Sequence, residues 1–319
     1  MYSKIKSIEY YLPKYTETLK TLKKDNPEWD VKKIYKATGI NKRFIAKEDD
    51  IIQMAEKSCK KLIKNNNIKD IDFLILVTQS QETGIPSSSC ILHKRLDLNK
   101  NCMSFDINQG CSGFVYSLAV ATSLIKNKIA KKGIIVCSEK YSKYIRKDDK
   151  TCRPIFSDGS ASIFIEGSKK DRINSFILGT NGAGHQNLMV PSKDIVLKNN
   201  KIKKGNLYMN GSAVFLFTLS TVQKCFNEVL RKSKIRKDDI DYVIFHQASR
   251  LVLDNLVRKL DLKKAKVINN LGNVGNTVSA SIPIALKTLM NKKKNFKNST
   301  ILLLGFGVGY SWGGCIVKC

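Results

Sequence analysis

Residues 71–80, Ile-Asp-Phe-Leu-Ile-Leu-Val-Thr-Gln-Ser, closely match residues 240–249, Ile-Asp-Tyr-Val-Ile-Phe-His-Gln-Ala-Ser. In both stretches an Asp precedes a short continuous apolar run, which is typical of a strand covered by helices on both faces. A second pair of apolar runs, 134–136 and 301–303, follows in the same order. Each leads through a Gly-containing loop to one more strand. A single matching pair can arise by chance, but two pairs in the same order predict two similar βα halves.

Helical patterns separate these apolar runs. The alternation of strands and helices predicts an α/β fold in which helices and sheets form layers. The short polar stretch 168–173 lies between the two copies of the pattern. We therefore expect an N-terminal half at residues 1–170 and a C-terminal half at residues 171–319. The helices are predicted at residues 51–66, 112–127, 213–232, 250–260 and 278–290.

Composition limits the class of protein. The chain has 319 residues, 42% hydrophobic and 26% charged, as in ordinary globular proteins, which excludes a disordered, collagen-like or coiled-coil chain. Its 56 Lys and Arg against 27 Asp and Glu give a net charge of +29. This charge favours anionic partners such as phosphorylated cofactors or acidic proteins, although solvated Lys-rich faces explain it at least as well. The sequence has no zinc finger and no basic helix interleaved with aromatics, so no nucleic-acid partner is expected.

The nine cysteines show no Cys-x-x-Cys spacing. A secreted disulfide framework and a structural zinc site are therefore not expected, and the thiols are predicted to be free in a reducing cytoplasm. Apolar runs end at about ten residues, well short of a membrane span. We expect a cytoplasmic protein without a membrane-spanning segment or a metal site.

One cysteine, Cys111, lies where a nucleophile is well placed. Residues 103–107 alternate like a strand and an apolar helical pattern begins at Phe114, so Cys111 lies at a strand-to-helix turn. The free N–H groups and the positive dipole end of a helix favour a thiolate, and they can lower a cysteine pKa from about 8.5 to about 7. A small buried core cysteine is the simple alternative.

Two polar residues follow strands of the C-terminal half. His246 ends the strand at 242–245, and Asn276 follows a short predicted strand at 266–268 and precedes a helix. The carboxyl ends of strands are where α/β proteins hold their chemistry, and a nucleophilic thiol needs a polar partner. His246 and Asn276 are therefore the polar candidates for a partner of Cys111.

Four motifs together resemble the β-ketoacyl-acyl-carrier-protein synthase III family of condensing enzymes. They are residues 108–114 (Asn-Gln-Gly-Cys-Ser-Gly-Phe), 246–248 (His-Gln-Ala), 275–277 (Gly-Asn-Thr) and 305–313 (Gly-Phe-Gly-Val-Gly-Tyr-Ser-Trp-Gly). Their order and spacing match the family across nearly the whole chain. The resemblance implies the thiolase fold, a five-layered αβαβα sandwich made of two βαβαβ-type halves. It also implies a cytoplasmic homodimer.

The resemblance further implies a mechanism in two steps. Cys111 takes an acyl group from acyl-CoA, while the backbone N–H groups of Cys111 and Val308 hold the oxyanion. His246 and Asn276 then hold the thioester carbonyl of malonyl-acyl carrier protein as CO₂ leaves, and the resulting carbanion attacks the acyl group. The products are a β-ketoacyl-acyl carrier protein, CoA and CO₂. No metal or organic cofactor is implied, because decarboxylation itself generates the carbanion.

Further residues receive binding roles from the resemblance. Trp29 is expected to stack on the CoA adenine, and Arg250, Arg258 and Lys259 are expected to dock an acidic carrier protein. An ordinary half-buried tryptophan and a solvated helix face are the respective alternatives. The other expected substrate-binding residues, for several of which core packing is the alternative, are Ile85, Phe114, Met209, Ser249 and Phe306.

Several positions depart from the common family pattern. Val308 replaces the middle glycine of the C-terminal glycine loop, and Ile85 stands where an aromatic residue often closes the acyl pocket. Ala37 stands where an arginine commonly contacts CoA, and Ser249 replaces a common asparagine. These departures leave the catalytic residues intact. They indicate a specialised paralogue in place of the housekeeping initiator of fatty-acid synthesis.

Other functions are compatible with parts of the pattern. A thiolase-fold acyltransferase passes the acyl group from Cys111 to an alcohol or amine, and an enzyme like hydroxymethylglutaryl-CoA synthase condenses acetyl-CoA without decarboxylation. The amide of Asn276 favours decarboxylation, because it can donate to the thioester oxygen. A non-catalytic basic binding protein is favoured by loss of Cys111, His246 or Asn276, and all three are present.

Overall fold

A computed structural model describes residues 1–197, 200–263, 266–292 and 298–319 of the chain. The longer strands form two sheets, one in each half. The N-terminal sheet consists of β1 (Tyr2–Tyr11), β4 (Phe73–Val77), β5 (Met103–Ile107), β6 (Lys132–Glu139) and β7 (Gly159–Ser168). Its strand order is β1-β7-β6-β4-β5, in which β4 is parallel to β5 and β6, and β7 is antiparallel to β6 and β1.

The C-terminal sheet repeats most of this arrangement. It consists of β8 (Ile173–Thr180), β13 (Tyr242–Phe245), β14 (Thr300–Gly307) and β15 (Ser311–Lys318). Its order is β13-β14-β15-β8, with one parallel pair followed by two antiparallel pairs. In place of a strand equivalent to β5, Val267 forms a single parallel bridge with Val243. The two predicted pairs of repeated strands are confirmed, and the short strand predicted at 266–268 is reduced to this bridge.

Helices cover both faces of both sheets. They are α1 (Leu19–Asp25), α2 (Val31–Thr38), α3 (Ile51–Asn66), α4 (Ser88–Arg95), α5 (Gly113–Lys126), α6 (Gly211–Ser233), α7 (Arg250–Lys259), α8 (Leu271–Val274) and α9 (Ser281–Lys292). Side chains of α5 and α9 share one buried apolar cluster with strands of both sheets. The outer face of the N-terminal sheet packs on α3 and α4, and that of the C-terminal sheet packs on α6 and α7. The predicted αβαβα order of five layers is therefore confirmed.

Local sequence signals explain where the helices next to the site begin. The Asp50 side chain accepts a hydrogen bond from the Gln53 backbone N–H before α3, and Ser249 does the same for Val252 before α7. Such side-chain caps satisfy N–H groups that the first helical turn leaves free. The cap at Ser249 fixes the start of α7 four residues after His246, at Arg250.

The predicted helix at 278–290 begins later than expected. Residues Val278–Ala280 form a 3₁₀ turn, and α9 starts at Ser281. Val278 has a φ of +52°, in the left-handed region that a β-branched residue rarely adopts, so a regular helix cannot run through it. The turn places Asn276 and the start of α9 next to the end of β13.

Short strands form three further pairs outside the two large sheets. They are β2 (Tyr15–Thr18) with β3 (Lys42–Ile45), β9 (Leu188–Met189) with β12 (Tyr208–Met209), and β10 (Ile195–Leu197) with β11 (Asn200–Ile202). Within the described ranges, no helix has the length and apolarity needed to cross a membrane. The division into domains at residue 170 remains a prediction, and the apolar core between the sheets takes residues from both halves.

Candidate active site

Cys111 lies in the turn between β5 and α5, directly against the end of β14. An added Cβ on Gly305 would lie 2.7 Å from the Cys111 carbonyl oxygen, and one on Gly307 would lie 2.9 Å from the Cys111 sulfur. Real Cβ atoms do not approach neighbours this closely, so glycine is needed at both positions. The last turn of the C-terminal sheet therefore reaches the nucleophile because it carries no side chains there.

Cys111 itself is 5% exposed. Burial is the largest influence on its thiol and raises the pKa well above the ordinary value, and the charge of Glu139 raises it further. The backbone N–H groups of Cys111 and Val308 approach the sulfur and act in the opposite direction. The expectation of a lowered pKa is therefore wrong for this structure, because desolvation of the charged form outweighs the helix end.

His246 follows β13 and is 2% exposed. Burial lowers the pKa of its imidazole to about 3, so the ring is neutral near physiological pH. Ser281 Oγ lies 2.7 Å from Nδ1 and accepts the backbone N–H of Gln247 at 3.4 Å. The Ser281 hydroxyl can donate to Nδ1 or accept from it, and where it donates, the ring proton lies on Nε2.

Asn276 lies beside His246, and its amide has a defined orientation. Its Oδ1 accepts the Val278 backbone N–H at 2.9 Å, which leaves Nδ2 facing Nε2 of His246 at 3.4 Å. The edge of the Phe306 ring packs against the imidazole, with centroids 5.6 Å apart. Nδ2 of Asn276 and Nε2 of His246 thus lie side by side.

Cys111, His246 and Asn276 all line one cavity of about 260 Å³. The predicted binding residues Met209, Ser249 and Phe306 line it as well. Most of the remaining wall is apolar and consists of Ala37, Ile155, Phe156, Leu188, Val214, Phe215, Leu251 and Val252. A cavity that joins an apolar wall to a thiol, an imidazole and a side-chain amide suits a thioester with an acyl chain.

Three other predicted binding residues do not line this cavity. Phe114 is completely buried and packs in the central apolar layer, so its assignment to the substrate site is corrected to core packing. Trp29 is 3% exposed and packs with Leu22 and Ile34, which leaves no ring face on which an adenine can stack. Ile85 is 90% exposed, away from the cavity, so it closes no pocket within its own chain.

The predicted docking residues lie on α7, whose first turn borders the cavity. The guanidinium of Arg250 stacks on the Tyr35 ring with 4.6 Å to its centroid. Arg258 is exposed and bonds the side chain of Asn255 at 2.8 Å, and Lys259 is exposed. Contact of these residues with a carrier protein remains a prediction.

The sequence analysis missed several polar residues behind the nucleophile. Glu139, at the end of β6, is fully buried, and burial raises the pKa of its carboxyl to about 7. Gln79, Ser80 and Ser279 surround that carboxyl. The available signal was similar to that for His246, a polar residue at the end of a buried repeated strand. The sequence does not show which such residues face a common site.

Two arginines near the cavity have structural partners. Arg43 donates to Glu17 and to the carbonyl oxygen of Phe156, and Arg153 binds Glu17 and Asp25. Both guanidinium groups are buried. They hold β2 and β3 against the segment that precedes β7, so they are not free to bind the phosphates of CoA.

Comparisons with known proteins agree with this geometry. The family model of 3-oxoacyl-[acyl-carrier-protein (ACP)] synthase III matches residues 105–182, and the model of its C-terminal region matches residues 230–319. A β-ketoacyl-[acyl-carrier-protein] synthase III of Clostridium botulinum (strain Loch Maree / Type A3) is 33% identical over 305 residues, covering 94% of this chain and 92% of that protein.

Two further relatives match over the full length. The β-ketoacyl-[acyl-carrier-protein] synthase III of Streptococcus agalactiae serotype III (strain NEM316) is 33% identical over 331 aligned positions, covering 100% of this chain and 99% of that protein. A crystal structure of a 3-oxoacyl-(acyl-carrier-protein) synthase III superposes with a TM-score of 0.95 at 32% identity, covering 100% of both chains. The fold is accordingly the thiolase fold that the sequence motifs imply. On these matches, the chain belongs to the β-ketoacyl-acyl-carrier-protein synthase III family.

Proposed function

We propose that this protein condenses an acyl-CoA with malonyl-acyl carrier protein through an acyl-enzyme on Cys111. The observation that carries the proposal is the convergence of Cys111, His246 and Asn276 on one apolar-walled cavity. The products are a β-ketoacyl-acyl carrier protein, CoA and CO₂. The names of the curated relatives support the same reaction.

In the first step the sulfur of Cys111 attacks the thioester carbonyl of acyl-CoA. The backbone N–H groups of Cys111 and Val308, which approach the sulfur, are placed to hold the oxyanion that forms. The carbon–sulfur bond to CoA breaks, CoA leaves as its thiol, and the proton of Cys111 balances the transfer. The product is a thioester on Cys111, which divides the reaction into two easier steps.

In the second step the malonyl thioester occupies the cavity. In the Nε2–H tautomer of His246, the carbonyl oxygen of this thioester accepts hydrogen bonds from Nε2 of His246 and from the neighbouring Nδ2 of Asn276. The bond to the carboxylate breaks, CO₂ leaves, and the electron pair passes into an enolate that these donors stabilise. The enolate carbon then attacks the acyl carbon on Cys111, the carbon–sulfur bond breaks, and the sulfur leaves as a thiolate that takes up a proton from solvent.

The neutral state of His246 suits this role. Burial lowers the pKa of the imidazole to about 3, so the ring donates one N–H without carrying a charge. The reaction calls for no metal or organic cofactor, because loss of CO₂ supplies the electron pair that forms the new carbon–carbon bond. Transfer of the acyl group to an alcohol or amine is the alternative fate of the same acyl-enzyme.

The assembly and location of the protein belong to the same proposal. A cytoplasmic homodimer is expected, and the exposed Ile85 on the 81–87 loop is available to a second chain. Arg258 and Lys259, exposed on the helix whose first turn borders the cavity, give an acidic carrier protein a basic surface on which to dock. A specialised pathway remains a prediction, supported by the substitutions at Ala37 and Val308.

The test is intact-mass spectrometry after mixing the protein with a panel of short acyl-CoAs, followed by malonyl-acyl carrier protein. We expect a mass increase of one acyl group that is absent in Cys111→Ala, and then discharge with release of CO₂. An adduct that malonyl-acyl carrier protein does not discharge supports the acyltransferase instead. If no acyl-CoA labels Cys111, the first step as written is wrong.

A further inference from the structure

Glu139 is a buried carboxyl group for which the proposed reaction has no use. It ends β6 and is 0% exposed. Its Oε2 accepts the backbone N–H of Gln79 at 3.1 Å and the hydroxyl of Ser80 at 2.9 Å. Its Oε1 accepts the hydroxyl of Ser279 at 2.7 Å. One carboxyl therefore joins a loop of the N-terminal half to the turn that follows Asn276 in the C-terminal half.

On the N-terminal side, the hydrogen bonds of Glu139 lead through Gln79 to the turn that contains Cys111. The Gln79 side chain accepts the hydroxyl of Tyr141 at 2.7 Å. An added Cβ on Gly110 would lie 2.5 Å from Gln79 Oε1, so the amide group packs directly on the residue before Cys111. Because Glu139 holds the Gln79 backbone, it also holds this contact in place.

The C-terminal arm supports a turn that is strained. Val278 has a φ of +52°, a conformation that a β-branched residue keeps only when its surroundings hold it there. Its N–H donates to Oδ1 of Asn276, and this bond turns Nδ2 toward His246. Ser279, the next residue, is tied to Glu139. The orientation of the Asn276 amide thus depends on a turn anchored by this carboxyl.

We propose that Glu139 is a positioning residue for the condensation step: by holding Ser279 it fixes the turn that aims the Asn276 amide at the malonyl thioester. This role rests on the proposed function. Glu139 acts through Ser279 and Asn276 and touches no reacting atom.

The same carboxyl has an opposing effect on the nucleophile. Burial raises the pKa of Glu139 to about 7, and after burial its charge is the next influence that raises the pKa of the Cys111 thiol. Removing the charge should favour the thiolate of Cys111 while loosening Asn276. Replacing a residue that only supports packing would instead reduce both the reactivity of Cys111 and the rate of CO₂ release. The other groups whose pKa responds to this carboxyl are Cys137, Tyr141, Lys143 and Tyr144.

The experiment compares Glu139→Gln and Ser279→Ala with wild type. Carbon dioxide release from malonyl-acyl carrier protein is measured on the acyl-enzyme, and iodoacetamide labelling at pH 8 is followed on the peptide that contains Cys111. We expect both variants to release CO₂ about 10-fold more slowly, the scale on which outer-shell partners of catalytic groups act. Labelling should be about 3-fold or more faster in Glu139→Gln, since a small pKa shift changes the thiolate fraction by that factor, and unchanged in Ser279→Ala.

Several results would overturn the proposal. If labelling and CO₂ release fall together in Glu139→Gln, the residue only supports packing; if both variants release CO₂ at the wild-type rate, it positions nothing. Should Glu139→Gln not fold, Ser279→Ala decides alone: slower CO₂ release with normal labelling supports the role, and normal CO₂ release overturns it. Wild-type protein that releases no CO₂ overturns the proposed function itself.

Discussion

The two halves of the molecule share an arrangement of four strands and end two of the equivalent strands differently. β6 and β14 are each eight residues long and pair in parallel with equivalent strands, β4 and β13. The last residue of β6 is Glu139, a buried carboxyl with several donors, whereas the last residue of β14 is Gly307, which lets the backbone reach Cys111. At equivalent strand ends, the N-terminal half therefore has the carboxyl group of Glu139, and the C-terminal half has Gly307, which lacks a side chain.

The loops that enter the inner helices show the same contrast. Cys111 follows β5 and enters α5, while Asn276 follows the bridge at Val267 and enters α9. The N-terminal loop carries the nucleophile, and the C-terminal loop carries a donor for the second step. Duplication accounts for the scaffold, and the chemistry comes from the positions at which the copies differ.

The largest expected effect is a loss of the second reaction step, CO₂ release, when a residue of the C-terminal half is changed. Asn276→Ala should slow CO₂ release by about 10²–10³-fold, the usual effect of losing a donor to a developing oxyanion. It should leave acyl-enzyme formation within about 3-fold, because Cys111 and its own N–H donors lie in other loops. Stopped-flow acylation and CO₂ release are measured separately on each variant. Asn273→Ala, an exposed asparagine three residues earlier, is the matched control. Equal decreases in the rates of acylation and CO₂ release would show that the two reaction steps do not depend on different halves.

The second prediction tests the space that Gly307 provides. Gly307→Ala places a methyl group 2.9 Å from both Cβ and Sγ of Cys111, so the nucleophile must shift. We expect acyl-enzyme formation to fall by about 10²-fold, since displacement of a reacting group by about 1 Å has effects of that size. Intact-mass kinetics measure this. Gly182→Ala, where an added Cβ meets nothing within 4 Å, should react normally. Normal acylation in Gly307→Ala would remove the argument for glycine at this strand end.

The third prediction concerns two buried groups, Glu139 in the N-terminal half and His246 in the C-terminal half, whose pKa values shift in opposite directions. Burial raises the pKa of Glu139 from 4.5 to about 7 and lowers that of His246 from 6.5 to about 3. The stability contributed by Glu139 is therefore present below pH 4.5 and is lost as pH rises through 7. That contributed by His246 is present above pH 6.5 and is lost as pH falls toward 3.

Urea unfolding between pH 4 and pH 9 checks these signs. Relative to wild type, Glu139→Gln should gain on the order of 3 kcal/mol in free energy of unfolding as pH rises across this range, because each pKa unit is worth about 1.4 kcal/mol. Relative to wild type, His246→Gln should gain as pH falls below 6.5. A stability difference that does not change with pH in either variant would contradict the corresponding shift.

Sequence patterns were sufficient for the scaffold and for the three residues that meet at the cavity. The repeated strands at 71–80 and 240–249 show their burial as continuous apolar runs. Cys111 and His246 follow strands whose ends meet at one cavity, and Asn276 follows the bridge at Val267. Glu139 also ends such a strand, but its importance depends on which loops from distant parts of the chain meet it. That information lies in tertiary packing.

The misplaced side chains have physical explanations of the same kind. Phe114 is only three residues after Cys111, but in α5 it shares a face with Leu118, one helical turn later, and that face meets the central layer. Trp29 packs between two short helices whose relative placement no local pattern predicts. Val278 interrupts a regular apolar helical pattern because its backbone conformation is set by Asn276 and Ser279, not by its own propensity.

The smallest expected effect compares the helices that follow equivalent strands, α7 after β13 and α4 after β4. Lys259, on α7, and Lys94, on α4, are both exposed. Of these two helices, α7 borders the cavity and α4 does not. Lys259→Glu should therefore raise the KM for malonyl-acyl carrier protein several-fold to about 10-fold and leave kcat unchanged. The increase in KM should be smaller at high salt. Lys94→Glu should stay within about 2-fold. Steady-state kinetics at low and high salt measure both. Because both changes lower the net charge by the same amount, equal effects would mean that the overall charge of +29 attracts the carrier protein and that neither half presents a docking face.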